Sequence, residues 1–425
     1  MPAIIFRNVA WYSLDRVVRM LLGLAVGVWI ARYLGPGDFG ALSYAIAMVA
    51  LFATLAEFGA ANIVVRDLVS EPQDAKHVLG AAALLLQGTA ICAYILLILS
   101  QYFLGDGANT SFVILLGISL LFKPGKVIEY WFQSKMDARS ISLVSTSAFL
   151  VASIARVFLI FAGATVIAFV WVILAEVALT FFGMLAAYLL SGERVLAWRP
   201  TTSRIRAIAS RSWPTALTGL VIVVYMRIDQ VMLGVMLSSE EVGIYSAAVQ
   251  ISEAWYFVPT AIAVSFYPSL VDVYRQSVDR YSEQLQRLYT LVVWLAVAMA
   301  LVITVAGGHV IELAYGKEYA SAANVLVIHL WAGVFVAYGV VKARAVVLEN
   351  MQKFSLVCTF CGCVANIGLN YVLIPNMGGE GAAIATLIAQ FVSAILVPIM
   401  YWKDRHNVHM FFKTFLFIGV VKSRI

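Results

Sequence analysis

Gly40-Ala41-Leu42-Ser43-Tyr44-Ala45 is answered 203 residues later by Gly243-Ile244-Tyr245-Ser246-Ala247-Ala248, an offset of nearly half of the 425-residue chain. Each hexapeptide opens an apolar stretch, and self-similarity at a fixed offset marks a duplicated architecture. A weaker echo links Thr165-Val166-Ile167-Ala168 to Ala382-Ala383-Ile384-Ala385. Whether the two copies share an orientation depends on how many membrane crossings separate them.

That number follows from composition. The chain is 62% hydrophobic and 12% charged, which excludes a soluble globular domain. A crossing helix needs about 20 apolar residues, and twelve such runs are present: 8–32, 39–65, 78–101, 111–131, 141–161, 166–190, 213–235, 243–268, 288–306, 321–341, 354–374 and 381–402. The even-numbered connections and both termini carry 21 Lys and Arg, whereas the odd-numbered connections carry only Lys317. Short basic connections stay in the cytoplasm, so both termini are expected there, and a miscounted span would have scrambled the alternation. The net charge of +6 expresses this bias and points to no nucleic-acid partner.

Six spans, an even number, separate the hexapeptides, so the halves enter the membrane in parallel, related by an axis along the membrane normal. The sequence therefore predicts an all-α polytopic membrane protein of about twelve transmembrane helices in two parallel six-helix lobes around a central cavity. The expected boundaries are a first lobe at 1–190, a basic cytoplasmic linker at 191–212, a second lobe at 213–402 and a cytoplasmic or interfacial tail at 403–425. Asp15, Arg16 and Arg19 interrupt the first span and no small-residue cleavage site follows, so it reads as a retained helix.

Six cations, Arg16, Arg19, Lys123, Lys126, Arg156 and Arg227, lie inside these apolar runs. A charge near the bilayer centre costs about 2.5 to 17 kcal/mol and persists where it faces a cavity, a partner or a ligand. In the first span Asn8, Tyr12, Asp15 and Arg19 recur at helical spacing with Arg16 beside them, making one polar stripe. At 1.5 Å per residue Arg16 lies about 14 Å along the helix, too deep to reach water easily. An Asp15 to Arg19 pair that neutralises itself is the plainer reading of part of this stripe. The fourth span places Ser119, Lys123, Lys126 and Tyr130 on one face, and Pro124-Gly125 between the lysines breaks the helix. Broken helices at charged positions point to transport sites, although Lys126 with Glu129 also fits a simple reach to the headgroups. Arg227 and Asp229 are two residues apart and face opposite sides of their helix. Arg156, close to the end of its span, carries the least weight.

Glu176 and Glu253 are the remaining candidates: membrane carboxylates carry a coupling proton or sodium, or else serve as counter-ions to the arginines, and both readings stay open. Trp255 and Tyr256 lie too deep for an interfacial belt, so they stack on a sugar or pack the core. Cys358, Cys361 and Cys363 sit inside an apolar span and read as small packing residues rather than a metal site, since ligation needs thiolates. No phosphate-binding loop, dinucleotide fingerprint or metal-ligand spacing occurs, so no bound cofactor or metal and no ATP hydrolysis are expected. The external connections are short, 307–320 being the longest, which disfavours an enzyme such as a membrane glycosyltransferase.

Four stretches carry a resemblance: Ala31-Arg32-Tyr33-Leu34-Gly35-Pro36 with Phe39-Gly40; Arg227 to Gly234 with Val242 to Ala248; Tyr315-Gly316-Lys317-Glu318-Tyr319; and Asn370-Tyr371 through Ile374-Pro375 with Gly381 to Thr386. Together they resemble the polysaccharide-unit (O-antigen, Wzx-type) flippases of the multidrug/oligosaccharidyl-lipid/polysaccharide exporter superfamily, whose fold is MATE-like. The resemblance implies two six-helix lobes with a cationic cavity, moving an undecaprenyl-diphosphate-linked oligosaccharide from inner to outer leaflet of the bacterial inner membrane by alternating access. It implies as partners the lipid-linked glycan, the bilayer, and the polysaccharide polymerase and chain-length machinery. It fixes no functional residues. The expected diphosphate site, Arg16, Arg19, Lys123 and Arg227, rests on the helix stripes, with Asp15, Lys126, Glu176, Glu253, Trp255 and Tyr256 as secondary positions. A lipid-linked peptidoglycan precursor flippase and a drug or cation antiporter of the same superfamily are the alternatives. Coupling to H+ or Na+ is compatible with this reading and not required, because an inside-negative potential already favours anion export by about 2.3 kcal/mol per charge per 100 mV.

Overall fold

A computed structural model describes residues 2–104, 109–401 and 404–416, with side chains over 18–103, 109–401 and 404–416. Among the described residues the secondary structure is entirely helical. Ten segments are long and apolar enough to cross a membrane, and two of them, Val18–Ser70 and Gln352–Met400, are double length. The first contains the break of α1 (Pro2–Glu57) at Gly35 (φ 74°, ψ 170°), followed by Pro36. The second contains the break of α13 (Gln352–Phe391) at Gly378 (φ 54°, ψ −134°). Both are backbone states open to glycine and costly for other residues. Counting each double segment as two restores the twelve expected crossings.

The chain divides into two compact units, Met1–Arg227 and Ile228–Ile425. The first holds α1, α2 (Ala61–Ser70), α3 (Ala75–Leu104), α4 (Thr110–Gly117), α5 (Lys126–Ser134), α6 (Ala138–Phe161), α7 (Val166–Leu190) and residues 202–227 of α8 (Thr202–Met236). Its core lies where Val64, Leu79, Leu86, Trp131, Phe132 and Tyr188 pack together. The start of α8 is fastened to this unit by ions. Arg211 reaches the buried Asp67 at 3.2 Å, and Arg204 pairs with Asp74 at 2.5 Å and with Glu71.

The second unit holds the end of α8, α9 (Ser239–Trp255), α10 (Phe257–Gln276), α11 (Val278–Tyr315), α12 (Ala322–Leu348), α13, α14 (Val397–Met400) and α15 (Arg405–Phe415). Ser238 caps α9, its hydroxyl accepting from the Glu241 N–H at 3.3 Å. The repeat is thus visible in the breaks: α1 is interrupted at Gly35, five residues before Gly40, and the helix preceding Gly243 is interrupted at Leu237-Ser238, five residues before it.

α13 folds back on itself. Twenty residues of straight helix would separate Asn366 from Thr386 by about 30 Å, yet Asn366 Nδ2 donates to Thr386 Oγ1 at 3.4 Å. The turn at Gly378 closes on α9, where the Glu241 carboxylate accepts the Gly379 N–H at 2.9 Å. In the tail, α15 docks on α11 through polar contacts: Gln286 Nε2 donates to the Met410 carbonyl at 3.0 Å and Tyr289 to Asn407 at 3.1 Å. Lys342 meets Asp404 at 2.6 Å, with both side chains largely shielded from water.

Candidate functional site

The polar stripe of the first span lies on α1, but the side chains of Asn8, Tyr12, Asp15 and Arg16 fall outside the described residues. Arg19 is half-buried on the same helix. The fourth span breaks where its sequence demands it. Pro124 has no N–H to continue an α-helix, and residues Ile118–Gly125 take up a tighter 3-10 helix between α4 and α5. Gly125 has no room for a side chain, because a Cβ there would lie 2.3 Å from the Phe181 ring on α7. The break is therefore locked between neighbours, and it presents Lys123 and Lys126 to a cavity of about 260 Å³.

Ser119, Glu129, Glu176 and Thr180 complete the polar wall of this cavity. Ligand pockets commonly measure about 300 to 1,000 Å³, so the space admits a charged group rather than an oligosaccharide. Its electrostatics differ from the bare cationic patch that the spacing of the lysines suggests. Lys123 Nζ donates to Glu57 Oε1 at 2.6 Å, Lys126 Nζ to Glu129 Oε2 at 2.7 Å, and Arg156 Nη2 to Glu176 Oε2 at 2.5 Å. Each of these cations has one carboxylate, so Glu176 serves here as the counter-ion of Arg156. An incoming anion would have to exchange with a carboxylate. Lys123 is best placed for that exchange, because Glu57, 42% exposed, is the least enclosed of the three carboxylates.

In the second unit Arg227's neighbour in sequence, Asp229, is buried. Its carboxylate accepts from Tyr245 Oη at 2.6 Å, Asn370 Nδ2 at 2.5 Å and Thr386 Oγ1 at 2.7 Å. Asn370 in turn donates to Asn366 Oδ1 at 3.3 Å. Among the described residues no cation pairs with Asp229, and Asn370 Oδ1 is a buried acceptor without a donor. A buried carboxylate left without a positive partner costs several kcal/mol, which three hydrogen bonds of about 1.5 to 3 kcal/mol each offset in part. The carboxylate is the one acceptor at the centre of three donors, so it can take up a proton as it stands, and a small cation would bind only if the hydroxyls and the Asn370 amide turned their oxygens inward. The sequence reading missed Asn366, Asn370 and Thr386 as a site. The available signal was two asparagines four residues apart on an otherwise apolar helix.

Glu253, Trp255 and Tyr256 are half-buried near the end of α9. The Tyr256 hydroxyl donates to the His329 carbonyl at 3.2 Å and lies 3.1 Å from His329 Nδ1, which also contacts Ser252 Oγ at 2.8 Å. Tyr256 is thus packed within the second unit. Arg227, like Glu253, makes polar contacts of its own, and the two fall in different units.

Residues 5–274 match the family profile described as polysaccharide biosynthesis protein. The chain belongs to that family. A second profile, MatE, matches residues 214–372, and the chain is a member of the multidrug/oligosaccharidyl-lipid/polysaccharide exporter superfamily. Curated relatives include the capsular polysaccharide biosynthesis protein CapF of Staphylococcus aureus, 20% identical over 93% of this chain and 98% of its own. The putative O-antigen transporter of Shigella flexneri is 20% identical over 93% and 97%. A probable flippase, AglR of Haloferax volcanii, is 30% identical over 46% of this chain, which spans 42% of that relative's length. Among solved structures, the lipid II flippase MurJ in an inward closed conformation superposes with a TM-score of 0.77 at 15% identity, covering 96% and 91% of the two chains. An inward-facing multidrug resistance MATE family transporter gives 0.69 at 16%, covering 96% and 99%. These likenesses establish the fold. In this chain two of the four quoted stretches mark fold positions: Gly35-Pro36 is the break in α1, and Asn370 with Thr386 embraces the hairpin of α13.

Proposed function

We propose that the protein is a flippase carrying an undecaprenyl-diphosphate-linked oligosaccharide, the repeat unit of an O-antigen, capsule or exopolysaccharide, from the inner to the outer leaflet by alternating access. Membership of the polysaccharide biosynthesis family, over 270 residues, is the observation that carries the reading. The physics supports it: a sugar headgroup crossing unaided would shed water from many hydroxyls at a prohibitive cost, so a protein-lined path is required.

In this reading Arg16, Arg19 and Arg227 hold the diphosphate by charge-assisted hydrogen bonds, and Lys123 joins them by leaving Glu57. Asp15 and Lys126 tune the local charge. Asp229, held by Tyr245, Asn370 and Thr386, is the position for a coupling H+ or Na+, while Glu176 and Glu253 act as counter-ions. The protein performs no bond-making chemistry and is not an enzyme. It resides in the bacterial inner membrane with both termini cytoplasmic, where the charge bias of the connections places them, and hands its cargo to a polysaccharide polymerase and chain-length machinery. A second reading, flipping of a peptidoglycan precursor, is favoured by the superposition on the lipid II flippase.

The test is leaflet transfer of a fluorescent undecaprenyl-diphosphate oligosaccharide in proteoliposomes, wild type against Arg16→Ala and Arg19→Ala. Transfer by the wild type, lost in both folded variants, is expected. Transfer indifferent to both substitutions would remove the diphosphate site from α1. Transfer of lipid II in preference to the oligosaccharide would select the second reading.

A further inference from the structure

A groove in the second unit lies apart from the residues discussed so far. It has a volume of about 430 Å³ and runs between α10 and α11, an antiparallel pair joined at Ser277. Gln284 Nε2 donates to Ser269 Oγ at 2.6 Å, and this contact sets the register. Counting outward from it places Val273 opposite Arg280 and Phe266 opposite Arg287. On α11, Arg280, Gln284, Arg287 and Leu291 recur at i, i+4, i+7 and i+11, a single stripe. The groove is thus cationic from Arg280 to Arg287 and turns apolar at Phe266, opposite Arg287, and at Leu291 one turn further in, which are 43% and 48% exposed.

Among the described residues neither arginine head is engaged. Glu283 lies three residues from Arg280 and four from Arg287, the spacings at which helical ion pairs form, yet among the described residues neither arginine pairs with it or with any other carboxylate. The apolar run of α11 begins at Leu288, so Arg287 marks the edge of the hydrocarbon and Arg280 lies about 10 Å further out along the helix. The headgroup layer of one leaflet is about 5 to 7 Å thick, and the two arginines bracket it.

We propose that this groove seats a membrane phospholipid, its phosphodiester between Arg280 and Arg287 and its acyl chains over the exposed Phe266 and Leu291. Arginine forks match phosphate oxygens, and Glu283 beside them complements the ammonium of an ethanolamine headgroup. The positive bias of this connection places the lipid in the cytoplasmic leaflet. The site is for a resident lipid and not for cargo, and it does not depend on what the protein transports.

Native mass spectrometry of the full chain in detergent tests this with phosphatidylethanolamine as probe. The wild type is expected to bind one lipid at least tenfold more tightly than Arg280→Gln/Arg287→Gln, while dioleoylglycerol, which lacks the phosphate, binds both equally. Unchanged melting of the variant confirms that its fold is intact, as the exposure of both side chains implies. Phosphatidylethanolamine binding within twofold in the two proteins would overturn the proposal. So would displacement of the lipid by undecaprenyl diphosphate, which would give the groove to the cargo, or by inorganic phosphate alone.

Discussion

Lys123 separates a transport site from a structural ion pair, because its partner can be removed independently. If the lysine serves only to neutralise Glu57, Lys123→Met and Glu57→Gln are equivalent, each leaving one unpaired charge. If it exchanges Glu57 for a substrate phosphate, the two variants diverge. A charge-assisted hydrogen bond in a partly dry site contributes about 1.5 to 3 kcal/mol, so Lys123→Met should weaken the apparent affinity for the lipid-linked substrate roughly 10- to 150-fold. The pair itself is worth less. Lys123 is 22% and Glu57 42% exposed, and at such exposure solvent screening holds an ion pair to about 1 kcal/mol or below. Glu57→Gln should therefore leave transport within about fivefold of wild type, and removing the competing carboxylate should tighten binding. Initial rates of leaflet transfer across a range of substrate densities read both effects. Equal losses in the two variants, with both proteins folded, would refute the exchange and return Lys123 to a packing role.

Lys342→Met strands the fully buried Asp404 carboxylate and should destabilise the second unit by about 3 to 5 kcal/mol; adding Asp404→Leu should recover most of the loss in a detergent melting curve. Asp229→Asn keeps the size of the side chain but removes its charge, so transport should lose its response to an imposed H+ or Na+ gradient while the melting temperature stays near wild type; gradient-sensitive transport by the variant would dismiss Asp229 as the coupling position. Gly378→Ala should cost about 1 to 3 kcal/mol, since the residue has φ 54° and its new Cβ would lie 2.7 Å from the Glu241 carboxylate; a melting temperature equal to wild type would show that the hairpin tolerates another turn.

The features legible in the sequence are those governed by local chemistry. Apolar runs give the crossings, because an unsatisfied backbone cannot stand in lipid. Pro124-Gly125 announces the break in the fourth span, and the paired hexapeptides announce two halves with matching interruptions. The partnerships are a different matter. Glu57 lies 66 residues from Lys123, and the groups around Asp229 are as far as 157 residues from it. No periodicity encodes such distances. Arg227 and Asp229 illustrate the limit: their opposite faces are predictable from spacing, but that Asp229 would be enclosed by the α13 hairpin depends on the turn at Gly378, whose residue type permits the fold-back without specifying it.

The ionic fastening of α8 has a practical corollary. Gly192, at φ 83° and with open space around it, lies in an exposed turn between α7 and α8. A chain cut there yields one piece ending after six crossings and another beginning ahead of Arg204 and Arg211. The second piece carries the very guanidinium groups that grip Asp67, Glu71 and Asp74 on the first. Two separately synthesised fragments would therefore bring their own clasp, one that high salt loosens and charge reversal on either side undoes.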